Sequence, residues 1–170
     1  MAVKEGKKPT INKDTISKEL TEKKGCFVTL TKNGELRGCI GHIIAQESLV
    51  DCVIDNAVNA ALYDTRFTPV AEDELKQVSL DINVLSAPTP LEYTSPQDLL
   101  DKLVPKKDGV VLSYNWRSST FLPIVWEQLQ DKEQFLTSLC YKQGSEGDCW
   151  KKGAKVEIYH TFEFNEEDFR

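Results

Sequence analysis

The chain of 170 residues is 40% hydrophobic and 28% charged, with a formal net charge of −6. These proportions are ordinary for a soluble globular protein long enough to bury its own core, and no apolar run comes near the ~20 residues of a membrane-spanning helix. The acidic balance argues against broad, sequence-independent binding to nucleic acid, which requires many phosphates to be neutralised.

Residues 1–14, "MAVKEGKKPTINKD", carry lysines with no apolar stretch behind them. They read as a flexible leader and not as a secretory signal, so the cytosol is the expected compartment. "TISKELTEKKG" then predicts a short helix that Gly25 would stop. Two strand-like runs follow in "CFVTLTKNGELRGCIG", separated by Asn33 and Gly34. That dipeptide suits a two-residue hairpin turn because both positions need positive φ. A regular register from this turn pairs Lys32 with Glu35, Leu30 with Arg37 and Val28 with Cys39. Arg37 and Cys39 would then share one face, and Gly38 would lie on the other.

"ESLVDCVIDNAVNAALYD" predicts an amphipathic helix ending near Asp64, with Ser48 and Asp51 forming a capping box and its alanines packing closely on a sheet. A short acidic helix, "AEDELK", precedes "VSLDINVL", whose alternation of Val78, Leu80, Ile82 and Val84 marks a half-buried strand ended by Pro88 and Pro90. "SPQDLLDKL" reads as a capped helix with proline in its first turn. "KKDGVVLSYNWRSSTFLP" reads as a second hairpin, and "DKEQFLTSLCYKQG" as a helix running from an Asp131 cap to a stop at Gly144. "KVEIYHTFEF" alternates as one last strand. Strands joined by tight turns, with helices between them, define an α+β fold: a largely antiparallel sheet flanked by helices. Residues 15–170 are expected to form a single domain, with 90–150 as a smaller helix-rich lobe.

Of the five cysteines (26, 39, 52, 140 and 149), none has Cys-x-x-Cys spacing. A disulfide framework is not expected, and most of them read as small buried hydrophobes. Only His42 and His160 accompany them, so a metal site would have to be assembled from distant pieces, and neither a metal nor another cofactor is expected. His160 reads as a hydrogen-bonded strand histidine, and Tyr114 and Trp116 as cover for the lobe's small core.

Arginine is scarce, with four against 17 lysines, and two of the four lie in "LRGCIG" and "DTRFTP". Arg37 beside Cys39 would favour a thiolate or hold an anion, while Gly38 and Gly41 would admit a ligand or a second backbone. Arg66 either joins that anion site or pairs with Asp64 at the helix end.

The blocks "GCFVTL", "LRGCIG", "AALYDTRFTPV", "LDINVLSAPTPL", "FLPIVWEQL" and "DKEQFLTSLCYKQG", in this order from about Gly25 to Phe164, resemble the AMMECR domain family. The loop "KQGSEG" departs from that family's usual Lys-Ala-Gly-Leu. The resemblance implies an α+β fold with a smaller inserted lobe, a cytosolic or nucleocytoplasmic protein, and a functional surface at the hexapeptide. It also implies, as partners, a Memo-like protein and a radical S-adenosylmethionine protein, and it leaves the reaction open. Two functions follow for test. One is a non-catalytic binding or adaptor module presenting "LRGCIG", with Arg37, Gly38, Gly41, Asp64 and Arg66 as binding residues. The other is an enzyme or enzyme subunit with Cys39 as nucleophile, acting on a small anionic or nucleotide-like substrate.

Overall fold

The structure, a computed structural model, describes residues 8–166. Residues 8–14 of the expected leader are therefore described, and the rest of it lies outside. In chain order the helices are α1 (Lys18–Thr21), α2 (Leu49–Leu62), α3 (Pro96–Lys102) and α4 (Lys132–Lys142). The strands are β1 (Cys26–Lys32), β2 (Glu35–His42), β3 (Val78–Leu85), β4 (Thr89–Pro90), β5 (Gly109–Tyr114), β6 (Arg117–Phe121), β7 (Lys155–Tyr159) and β8 (Thr161–Asn165). They make two four-stranded sheets in a mixed α+β fold, and the chain divides into two compact units. One holds the described residues up to 87 together with 162–166; the other holds 88–161.

In the first unit the sheet order is β2-β1-β3-β8, with β2 at one edge. Val28 and Leu30 of β1 are buried with Ala60, Ala61 and Val70, and Ile40, Val53, Ala57, Val78 and Leu80 pack around them. A contiguous cluster joins Cys26, Leu49, Cys52 and Val84. Helix α2 thus lays its small residues on β1 and β2, as its alanines require. Ser48 stands at its N-cap, but its hydroxyl meets the Asp51 carboxylate and caps no backbone amide. Lys13 holds the same carboxylate. The reciprocal capping box is therefore not formed, because a charged partner outcompetes the helix amide. Helix α1 stops at Thr21, before Gly25. Gly25 is needed instead where a Cβ would collide with the His42 and Ile43 carbonyls beside β1.

The β1–β2 turn has Asn33 at φ 54° and Gly34 at φ 80°. No atom lies within 4 Å of where a Gly34 Cβ would be, so a substitution there tests backbone strain alone. Gly34→Ala is expected to cost about 1 kcal/mol, read as a lower urea midpoint at unchanged slope.

The register departs from the regular one. Lys32 pairs with Glu35 and Thr31 with Leu36, but Leu30 then pairs with Gly38, Thr29 with Cys39 and Val28 with Ile40. Arg37 is the extra residue of a β-bulge, and a one-residue slip moves every later side chain of β2 to the other face. Gly38 and Ile40 face α2, whereas Cys39 joins Thr29 on the opposite face. The expected sharing of a face by Arg37 and Cys39 is corrected accordingly.

In the second unit the sheet order is β4-β7-β5-β6. Its core contains Leu99, Leu112, Trp126, Phe135, Leu139 and Trp150, with Trp126 stacked on Phe135 at 3.6 Å between ring centroids. The side chain of Ser95 caps α3 and that of Asp131 caps α4. Gly144, at φ 76°, turns the chain back after α4. This return brings Cys149 to Cys140, and the two form a disulfide, with Cα atoms 5.9 Å apart. Spacing alone gave no sign of that pair, because it depends on a loop reversal. Trp116, at the β5–β6 turn, is fully exposed and covers no core, whereas Tyr114 packs against it. The last run is not one strand: it breaks at His160 into β7 and β8, which belong to different sheets. His160 Nε2 lies 3.1 Å from the buried Asp108 carboxylate. Among the described residues, no helix is long and apolar enough to cross a membrane.

Candidate functional site

An edge strand leaves alternate N–H and C=O groups without a neighbour strand. On β2 these groups at Cys39 are taken by side chains. The Cys39 amide donates to Asp64 Oδ2 at 2.9 Å, and Arg66 Nη2 donates to the Cys39 carbonyl at 3.1 Å. Asp64 lies just past the end of α2, and its side chain is only 4% exposed. Its carboxylate also accepts from the Arg66 amide, Nε and Nη2, at 3.2, 3.0 and 2.7 Å. The Arg66 guanidinium and the Cys39 N–H hold this carboxyl well below the usual range. Arg66 thus pairs with Asp64, one of its two expected roles, and ties the α2 terminus to the hexapeptide backbone.

Arg37 is engaged elsewhere. Its Nε and Nη2 donate to the two oxygens of Glu74 at 3.2 and 2.9 Å, and Nη1 donates to the Thr68 carbonyl at 2.8 Å. Lys32 and the Ala71 amide meet the same carboxylate, each at 2.9 Å. The Arg37 guanidinium first, then the Ala71 amide and Lys32, hold Glu74 well below the ordinary carboxylate range. The bulge is what lets Arg37 reach this turn. Sequence reasoning missed Glu74, which sits in an acidic run that looks like a solvated helix face. The signal available was a run of three acids, residues 72–74, two residues after the helix-ending "DTRFTP".

The candidate residues therefore form two arrangements. Asp64, Arg66 and the Cys39 backbone come together, while Arg37 belongs to the Glu74 cluster. The Cys39 sulfur is half-buried and accepts from Thr29 Oγ1 at 3.3 Å. Gly38 packs against the Ala60 carbonyl, and the space a Gly41 side chain would need is filled by the Phe27 ring and the Cys26 carbonyl. A separate apolar groove of about 430 Å³ runs between α2 and β3, lined by Val53, Ala57, Leu75 and Leu80 among others, and by none of the six candidate residues. His42 has Nε2 3.6 Å from Cys52 Sγ and 3.8 Å from Glu47 Oε1.

The fold is similar to that in a crystal structure of an uncharacterized protein, PH0010, from Pyrococcus horikoshii. The match has a TM-score of 0.85 and 34% identity over 98% of this chain and 84% of that one. A protein from Methanosarcina mazei is 35% identical over 90% of this chain and 77% of its own length. One from Methanothermobacter thermautotrophicus is 37% identical over 81% and 72%. The sequence profile of the AMMECR1 family matches residues 1–164. The chain belongs to the AMMECR1 family.

Proposed function

We propose that this chain is a non-catalytic binding module whose recognition surface is the β2 edge with the segment that clamps it, residues 63–67. The observation carrying this reading is the double engagement of the Cys39 backbone by Asp64 and Arg66, which fixes the edge before any partner arrives. A preorganised surface loses little ordering entropy on association. What the edge leaves to solvent suits contact: Tyr63 is 67% exposed, the Arg66 side chain 55%, and Leu36 is also exposed. Tyrosine and arginine are the residue types that most often anchor interfaces. The chemical groups an enzyme would need are largely committed, since both guanidiniums bind protein acceptors. We place this module in the cytosol and take a Memo-like protein and a radical S-adenosylmethionine protein as the first partners to test.

One observation favours the second reading, cysteine-centred chemistry on a small anionic or nucleotide-like substrate. Arg66 Nη2 stands 3.1 Å from the carbonyl of Cys39, which brings a guanidinium to the residue that carries the thiol. Two measurements separate the readings. Binding of each purified partner to the chain is compared with that of Leu36→Ala/Tyr63→Ala and of Cys39→Ser. The module requires the double variant to bind at least about tenfold more weakly and Cys39→Ser to bind normally. Alkylation is timed in parallel. A Cys39 that reacts much faster than Cys26 and Cys52 in the folded chain, with partner binding indifferent to Tyr63, favours the enzyme.

A further inference from the structure

Cys26 and His42 face each other across β1 and β2, on the side of the sheet that α2 covers. Cys52 comes from α2 and Glu47 from the loop before it. Three of the four lie within residues 42–52, and the turn into α2 gathers them beside Cys26 at the end of the hairpin. Ligand atoms of His42, Glu47 and Cys52 all lie within 4.8 Å of one another. His42 Nε2 is 3.6 Å from Cys52 Sγ and 3.8 Å from Glu47 Oε1. Ligands bound at ~2.0–2.3 Å around a tetrahedral zinc ion stand ~3.3–3.8 Å apart. The spacing is therefore that of a site needing little closure.

We propose that His42, Glu47 and Cys52 bind one zinc ion, leaving a fourth position for water or for Cys26. The donor set is one imidazole, one carboxylate and one thiolate, which suits zinc and not magnesium or calcium. Cys52 binds as the thiolate, its proton leaving to solvent. Asn56 supplies the supporting shell: it is buried, and its amide nitrogen lies 3.3 Å from Cys52 Sγ and 3.5 Å from Cys26 Sγ. Hydrogen bonds of that kind orient and tune a metal-bound sulfur. The path inward is open, because the His42 and Glu47 side chains are 30% and 34% exposed while both thiols are buried. The site uses neither the Cys39 sulfur nor Arg66, so it stands independently of the proposed recognition edge.

The test is titration of the full chain in oxygen-free buffer without added reductant, so that Cys140 and Cys149 stay paired and offer no thiol, with cobalt(II) as the spectroscopic probe and zinc as its competitor. One equivalent of cobalt is expected to give sulfur-to-cobalt charge transfer and the visible bands of four-coordinate geometry, both removed by zinc. His42→Ala and Glu47→Gln alter partly exposed side chains, so both keep the fold. Each is expected to weaken binding at least about tenfold, the scale on which even supporting residues act. Cys52→Ser should remove the charge transfer wholly where water is the fourth ligand and about halve it where Cys26 is, and His160→Ala should leave cobalt binding unchanged. The proposal is overturned if the wild-type chain takes up no cobalt, if the bound cobalt shows no sulfur charge transfer, or if His42→Ala binds as the wild type does. Cys26→Ser places the fourth ligand: a loss as large as that for His42→Ala assigns it to Cys26, and a smaller one to water.

Discussion

Gly38→Val is expected to destabilise the chain by about 3 kcal/mol. Gly38 is buried on the face of β2 that meets α2, and a Cβ there would overlap the carbonyl of Ala60. The obstacle is helix backbone, so no rotamer change relieves it; β2 and the last turn of α2 must separate. Separation costs packing in the cluster of Val28, Leu30, Ala60 and Ala61, where the alanines already place the two elements in close contact. It also pulls Asp64, two residues past the end of α2, away from the Cys39 amide. The measurement is urea unfolding of wild type, Gly38→Ala and Gly38→Val, with Ala60→Gly added to the alanine variant. Trimming the Ala60 side chain should rescue nothing, because its main chain is the atom in the way. A Gly38→Val chain within 1 kcal/mol of wild type would mean that the strand and helix are not in this contact.

The elements were legible where local chemistry dictates them. Asn33-Gly34, the Ser95 and Asp131 caps, the Gly144 stop and the alternation of β3 are written in single residues or short periods, and each element stands where those signals put it. What failed was whatever depends on a partner remote in sequence. The bulge at Arg37 is stabilised by Glu74 and the Thr68 carbonyl, about thirty residues away, and nothing within β2 betrays it. One extra residue was enough to exchange the faces of Gly38 and Cys39. The Cys140–Cys149 pair and the His42–Glu47–Cys52 cluster are nearer in sequence, nine and ten residues apart, but each is closed by a turn that no short period announces. For the candidate site, scarcity of arginine was an informative signal, since both singled-out guanidiniums are structurally committed. It singled out two side chains that the fold engages, while leaving open whether they face a ligand or the protein's own backbone.

Asp64→Asn is expected to cost about 2–3 kcal/mol at neutral pH, a penalty that shrinks as pH falls. Both carboxylate oxygens are occupied by donors: Oδ1 by the Arg66 amide and Nε, Oδ2 by the Cys39 amide and Arg66 Nη2. An asparagine keeps the shape, but in either flip its NH₂ group faces two N–H donors, so repulsion replaces attraction on one side. Half-exposure of Arg66 lets water compensate part of the loss, which keeps the expected cost below that of a sealed ion pair. The pH dependence follows from the sign of the shift. The folded carboxyl is depressed, so its contribution is fully present above the ordinary aspartate value of about 4 and is lost as pH falls through the folded value. Glu74 titrates in the same direction in both proteins and cancels in the difference. Urea midpoints of wild type and Asp64→Asn should therefore draw together as pH falls below about 4, on the scale of about 1.4 kcal/mol for each unit by which folded and unfolded values differ. Parallel curves would show that Asp64 does not clamp the edge through its charge. Loss of the clamp should also free the Cys39 amide, seen as faster hydrogen exchange at that residue at pH 7, and weaken the partner binding that the fixed edge is proposed to support.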